Sequence, residues 1–571
     1  MRSPLVTHFD AYPDRAQYKP NQSGNLFIEL ETREDAALQL VVAFSKLERP
    51  VAEEKVTIQA NKGVKQIVPV PLFLEETVWS GYGVKVTVLR EGEVVSTAFT
   101  SYDIADHWSR APRYGFLSDF RSEESGDLRD VESMNKFHLN VIQFYDWMYR
   151  HDELVPQQDE FMDPMGREMS YQVVREKLEA VHNKGMAALA YGAVYASLKD
   201  FLQARPDWGL YNRRGEPFHL IDLFYIMDIT PNSPWTDHII EQFRQAVQAG
   251  FDGIHMDQYG FPKKAIRRIE GLEETVDLAE CYPPLIDRTS AAVKEIQAEA
   301  GVIFNNVGNY PIRKTASTDQ EALYIEVWPP VVRLRELKSL IDNARSLNPE
   351  KPIILSAYLP SFYPKAGHDK EWAENGALLT MAAIFASGGY HLLLGEDKGM
   401  LTMPYYPDYA VMRPEFEAEV RRYYDFIVRF GTLIHDPRLE DVSYTYTAGV
   451  NTEITFEAAV PYAPNGDVGS VWTLIKRLPG YQILQLINLV GLEDDYWEHG
   501  KHRRPEPQHG VVCHFLIEQP IETIYAASPD DPNQEVCFLD YEIVPHEQGL
   551  AARFVLPALE IWSMVIVKFR E

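Results

Sequence analysis

Asp257 and Glu326 are the two residues of this 571-residue chain best suited by type and position to act as an acid/base pair. Asp257 closes the apolar run Gly253-Ile-His-Met and is followed by Gln-Tyr-Gly260. Glu326 closes Ala322-Leu-Tyr-Ile and is followed by Val-Trp328. Each run has the length and apolar character of a buried strand, so each acid is expected at a strand's carboxyl end. Cleavage of a glycosidic bond needs one carboxylate to attack or stabilise the anomeric carbon. It needs a second, protonated carboxyl to help the leaving oxygen depart. A short Asp suits the first role because it moves little, and the longer Glu suits the second because it must reach the leaving oxygen. A lone acid at a strand end is commonly an ion pair or a loop cap, so the assignment depends on what shares that face.

The elements that would position the pair repeat as strand, loop, helix. Apolar strands are predicted at 114–119, 140–147, 186–191, 253–257, 303–307, 323–327, 353–358 and 391–396. Helices are predicted near 130–136, at 171–183, 235–249 and 372–386, and near 414–429. Eight such strands describe a (β/α)8 TIM barrel over residues 109–435 better than an open sheet. No Gly-x-Gly-x-x-Gly opens a helix after the first strand, which counts against a dinucleotide-binding fold. The long segment running to Pro234 exceeds a minimal loop and is expected to cover the active face.

Active sites of such barrels lie at the carboxyl ends of the strands. Around that ring Asp119, Tyr145, Asp146, Trp147, Asn305, Trp328, Tyr358 and Glu396 are the expected substrate-binding residues. The set is acidic, amide-rich and aromatic, without clustered Lys or Arg. It suits a hydroxyl-rich neutral ligand, whereas a phosphate site would need cations. An acidic metal site is the competing reading, but no His joins the acids at ligand spacing, so neither metal nor cofactor is expected. His255, two residues before Asp257, reads as a hydrogen-bonded core histidine.

Two β regions flank the barrel. Residues 1–108 carry short β-branched runs between turn clusters and are predicted to form an immunoglobulin-like β-sandwich. Residues 436–571 are predicted to form a C-terminal antiparallel β-sandwich docked on the barrel, with the charge-rich stretch 493–504 as a solvated loop. The net charge of −29, from 55 basic and 84 acidic residues, repels phosphate backbones and anionic lipid, so no nucleic acid and no membrane partner is expected. The 12% aromatic content either fills cores or offers stacking platforms for sugars. Three cysteines, Cys281, Cys513 and Cys537, have no metal-ligand spacing and suggest no disulfide framework. Met1–His8 lacks the apolar core of a signal peptide, so a cytoplasmic location is expected, or a secreted one if a leader has been removed.

Four motifs carry a family resemblance: Gln143-Phe-Tyr-Asp-Trp-Met-Tyr-Arg-His151, Gly250-Phe-Asp-Gly-Ile-His-Met-Asp257, Tyr324-Ile-Glu-Val-Trp328 and Gln485-Leu-Ile-Asn-Leu489. With them the chain resembles glycoside hydrolase family 66, which contains endo-dextranases and cycloisomaltooligosaccharide glucanotransferases. The resemblance extends over all three regions. It implies Asp257 as nucleophile, Glu326 as acid/base and an α-1,6-glucosidic bond in dextran or isomaltooligosaccharides. It also implies glucose subsites near Asp119, Tyr145, Asp146 and Trp147. The residues flanking Asp257 depart from the Gly-Asp-Thr type of many dextranases, which bears on linkage and chain-length preference. The family's cyclising transferases carry a carbohydrate-binding module after the seventh strand. Here only Leu359–Glu371 separates Tyr358 from Trp372, so retaining hydrolysis is expected over cyclisation. The remaining alternatives are a glucanotransferase, and a non-catalytic α-glucan-binding protein, against which both carboxylates speak.

Overall fold

The computed structural model describes residues 5–570 apart from 270, 364–366 and 368. At its centre is an eight-stranded parallel sheet. In chain order its strands are Tyr114–Leu117, Val141–Phe144, Ala187–Ala193, Gly253–Asp257, Gly301–Val307, Ala322–Glu326, Ile353–Ser356 and Tyr390–His391. Neighbours in sequence are neighbours in space, and the Phe116 amide donates to the Leu394 carbonyl at 3.2 Å, bringing the ends of the sheet together. The sheet is thus a nearly closed barrel. Its strands are mainly apolar and buried along nearly their whole length because both faces are covered, by the filled interior and by the outer helices.

The eighth strand is shorter than expected. It spans Tyr390–His391 rather than reaching Glu396, because the chain turns after Gly395 and passes through Asp397 and Lys398 at φ 51° and 59°. The fourth strand shows why its first residue is glycine. A Cβ on Gly253 would lie 2.0 Å from the Gly301 carbonyl oxygen of the fifth strand. The main helices outside the barrel are Arg129–Lys136, Tyr171–Asn183, Pro234–Gln248, Leu278–Lys294, Leu334–Leu347, Lys370–Ala386 and Pro414–Arg429. Ser170 and Ser233 cap the second and third of these through their side-chain oxygens. No helix of the described residues is long and apolar enough to cross a membrane.

Residues before the barrel form two antiparallel sheets, of three and four strands, between Val6 and Ala105. Leu26, Ile28, Leu40, Val42 and Val86 close one core between them. At the junction with the barrel, Arg113 donates from both terminal nitrogens to the Asp103 carboxylate at 2.8 and 2.9 Å, with both residues buried. Residues after the barrel form sheets of seven and four strands, antiparallel apart from one short parallel pair. Trp562 of the larger sheet packs edge-on against Phe426 of the last barrel helix, at 4.8 Å between ring centres.

The stretch 493–504 is not the solvated loop its charges suggest. Asp495, Trp497 and Lys501 are buried, Arg333 pairs with Asp495, and the Trp497 indole donates to the Val331 carbonyl at 3.0 Å. Aromatic anchoring offsets the cost of bringing these charges inward, because each is paired. The stretch therefore holds the loop that follows the sixth barrel strand. Of the expected short connection after Tyr358, residues 364–366 and 368 lie outside the described residues. Pro360–Phe362 forms a single 3-10 turn, and the next helix starts at Lys370.

Candidate active site

Strand register brings the two acids together. Met256 pairs with Phe304, so Asp257 ends the fourth strand level with Asn305 of the fifth. Asn305 pairs in turn with Tyr324 of the sixth strand, and Glu326 lies two residues beyond, on the same face. The Asn305 side-chain nitrogen donates to Asp257 Oδ1 at 2.7 Å and to Glu326 Oε2 at 3.1 Å. Tyr191, near the end of the third strand, donates its hydroxyl to Asp257 Oδ2 at 2.6 Å. Tyr358, just past the seventh, donates to Glu326 Oε1 at 2.9 Å.

Among the described residues neutral donors alone hold the pair, so none of them neutralises either charge by contact. Burial pushes the Glu326 carboxyl up to about 7, and the nearby Asp257 charge adds to this. Hydrogen bonds from Asn305 and Tyr358 oppose the rise. Burial also raises Asp257, against hydrogen bonds from Tyr191 and Asn305. At neutral pH this arrangement can keep one carboxyl protonated beside an ionised one, as a general acid and a nucleophile require.

Both acids open into a cavity of about 510 Å³. Tyr145, Asp146, Asn305, Trp328 and Tyr358 line it, as expected from the sequence. Tyr145 stacks on Tyr406 at 4.3 Å, and Trp328 stands at the rim, 40% exposed. Asp146 has a left-handed backbone at φ 48° that turns its carboxyl inward. Burial pushes it up to about 7, Arg167 opposing from 3.7 Å and the charges of Asp163 and Asp257 adding to the rise. Among the described residues no Lys or Arg lines the cavity. His255 is a hydrogen-bonded core residue, its Nδ1 2.9 Å from the Tyr114 hydroxyl, and burial lowers it to about 3.

Three expected binding residues are not brought to the cavity. Trp147 is fully buried. The turn at Asp146 sends its indole under the Tyr191 carbonyl, to which it donates at 3.2 Å, and against Phe251 at 4.5 Å. Asp119 lies past the end of the first strand, held by Arg121 at 2.5 Å. Glu396 is buried as a clamp. Its Oε2 accepts the Ser118 and Asp119 amides at 2.9 and 3.0 Å, and its Oε1 accepts the Ser118 hydroxyl at 2.7 Å. All three serve the strand ends and not the cavity.

Other lining residues escaped the sequence reading. Tyr191 ends the predicted third strand, where its position in the sequence gives it no role. Leu220, Ile221 and Phe224 come from a small hairpin within the long segment before Pro234, which does cover this face. Tyr405 and Tyr406 come from an irregular loop beyond the eighth strand, where periodicity carries no signal.

The family model for glycosyl hydrolase family 66 matches residues 13–566. The chain belongs to that family. A cycloisomaltooligosaccharide glucanotransferase of Niallia circulans is 23% identical, over 98% of this chain and 72% of its own length. A dextranase of Streptococcus salivarius is 22% identical, over 86% of this chain and 67% of its own. A solved cycloisomaltooligosaccharide glucanotransferase of Paenibacillus sp., complexed with cycloisomaltoheptaose, matches with a TM-score of 0.88 at 20% identity, covering 99% of both chains. At that identity the structural likeness speaks for the fold. Family 66 membership and the barrel agree with the resemblance read from the motifs.

Proposed function

We propose that this family 66 enzyme hydrolyses α-1,6-glucosidic bonds of dextran or isomaltooligosaccharides by double displacement, with Asp257 as nucleophile and Glu326 as acid/base. The observation that carries this reading is the Asn305 nitrogen shared by both carboxylates. The bonded oxygens of the pair can be no farther apart than those two hydrogen bonds end to end. A shared donor of this kind suits the roughly 5–5.5 Å carboxyl separation of a retaining pair better than the roughly 6.5–9.5 Å of an inverting one.

In the first step an Asp257 oxygen bonds to the anomeric carbon as the bond to the glycosidic oxygen breaks. Glu326 gives its proton to that oxygen, and the shortened glucan leaves as an alcohol. In the second step Glu326, now ionised, takes a proton from water as the water oxygen displaces Asp257 from the anomeric carbon. Two inversions give net retention. The cavity's acids and amides suit sugar hydroxyls, and Tyr145, Tyr406 and Trp328 suit the C–H faces of the rings.

Hydrolysis is favoured over cyclisation by length. The Niallia glucanotransferase alignment runs over 715 positions against the 571 residues here, so that relative carries inserted sequence that this chain lacks. The dextranase alignment runs over 568 positions for 86% of this chain, so that relative carries insertions too, but fewer. Transfer to a sugar acceptor is the second reading, and the half-exposed Trp328 beside Glu326 supports it as a platform for an acceptor ring. Incubation with dextran, following reducing ends and product size, separates the readings. Linear isomaltooligosaccharides are expected; cyclic products, or binding without release, would overturn hydrolysis.

A further inference from the structure

The small hairpin over the active face has a tip that its role as a wall does not require. Its strands, His219–Leu220 and Phe224–Ile226, are joined by a turn in which the Leu223 amide donates to the Leu220 carbonyl at 3.1 Å. The two central residues of that turn, Ile221 and Asp222, both have left-handed backbones, at φ 48° and 56°. Such turns favour Asn-Gly or Asp-Gly, because glycine has no Cβ to clash and asparagine and aspartate tolerate the conformation. Asp222 fits that rule. Ile221 breaks it, since a second heavy atom on Cβ makes the left-handed region a genuine outlier.

Burial does not account for the choice, because Ile221 is 61% exposed. The base of the hairpin is what holds the tip in place. Phe224 is buried with Ala193 and Ala196, and Leu220 and Leu223 pack on that cluster. The Phe224 ring meets His151 edge-on at 4.6 Å, and Phe224–Ile226 pairs on its other side with Ala196–Ser197, just past the third barrel strand. A well-anchored base thus carries a strained, apolar tip at the wall of the catalytic cavity. Strain kept at such a place points to function.

The two acids lie deeper in the same cavity: Glu326 is 7% exposed and Asp257 half-buried, whereas Ile221 stands at the mouth. The ring that reacts between the acids is therefore not the ring that meets Ile221. Every α-1,6 link puts a C6 methylene into the backbone of the glucan, beside the C–H faces of its rings. An aliphatic side chain can cover these groups and offers nothing to the hydroxyls. On the α-1,6-glucan reading above, we propose that Ile221 is a specificity-determining residue. It packs on a glucose unit beyond the one that reacts, and so favours chains long enough to reach from the acids to the mouth. Short substrates forgo that contact, and with it the binding energy it supplies.

The test is kcat/KM of the full chain along a series from isomaltotriose to dextran, with Tm measured alongside. In the parent protein kcat/KM should rise with length. Ile221→Gly should cost the longest chains about 3–10-fold, the worth of covering part of an isoleucine, and the shortest chains less, so the series flattens. Its Tm should equal or exceed the parent's, because glycine removes the strain and little burial is lost. Ile221→Asn tolerates the same backbone without glycine's flexibility and should flatten the series equally. If the parent cleaves dextran and the series stays as steep in both variants, or the loss is the same at every length, this inference is overturned alone. A Tm several degrees lower in Ile221→Gly would overturn it too, by making the residue structural. A parent that released nothing from dextran would overturn the reading of function and this inference with it.

Discussion

Glu326 and Glu396 share a residue type, a barrel face and a buried position, and burial pushes both carboxyls up to about 7. Their partners separate them. Glu326 is held by the side chains of Asn305 and Tyr358, which stand in the cavity wall and leave its oxygens facing open space. Glu396 is held by two backbone amides and a hydroxyl of the first strand's end, with no face on the cavity. A raised carboxyl at the active end of a barrel is thus not a mark of catalysis by itself. What sets Glu326 apart, and supports the role proposed for it, is a second acid sharing its donor and room for a substrate.

The largest effect should come from removing each carboxyl's charge. Glu326→Gln is expected to lower kcat on natural glucan by about 10²–10⁴-fold with Tm held or raised, whereas Glu396→Gln should leave kcat within a few-fold. Comparable losses in both would erase the distinction. Next, Asn305→Ala frees the two carboxyls to move apart and should lower kcat by about 10²-fold, more than it raises KM. An effect confined to KM would make Asn305 a plain binding residue.

Acidity offers a finer probe. In the proposed mechanism Glu326 gives a proton that is lost as pH rises through about 7, so kcat/KM should fall on that side. Tyr358→Phe removes a hydrogen bond that favours the ionised form, so the basic limb should move to higher pH. A limb that stayed in place would assign it to another group. The smallest expected effect is on stability. Glu396 is raised from 4.5 to about 7 in the folded chain, so its contribution is full below about 4.5 and is lost as pH rises through 7. Stability of the parent protein measured by denaturant between pH 5 and 8 should therefore decline relative to that of Glu396→Gln. Parallel profiles would contradict this.

Much of this was legible in the sequence, because a strand buried on both faces reads as an apolar run wherever it occurs. The fourth and sixth strands ended where Asp257 and Glu326 predicted them to, and parallel register then fixed their neighbourhood. What failed was direction at strand ends. The second strand stops at Phe144, and the left-handed turn at Asp146 buries Trp147 while keeping Tyr145 and Asp146 in the cavity. Sequence order cannot register such a turn at a non-glycine residue. Charge was misleading in 493–504, where paired ions and Trp497 carry a polar stretch into contact with the barrel. Tyr406 and Phe224 reach the cavity from loops, whose course depends on packing over long sequence distances rather than on any local period.

The most direct test of the Asp257–Glu326 assignment is to trap the intermediate. Glu326→Ala would be incubated with an α-glucoside bearing a good leaving group and digested for peptide mass spectrometry. Without the acid, such a substrate can still glycosylate the nucleophile, and without the base the ester should persist. A glucosyl adduct on the peptide carrying Asp257, absent in Asp257→Asn, is the expected result. An adduct on another residue, or turnover with inverted anomeric configuration and no adduct, would contradict it.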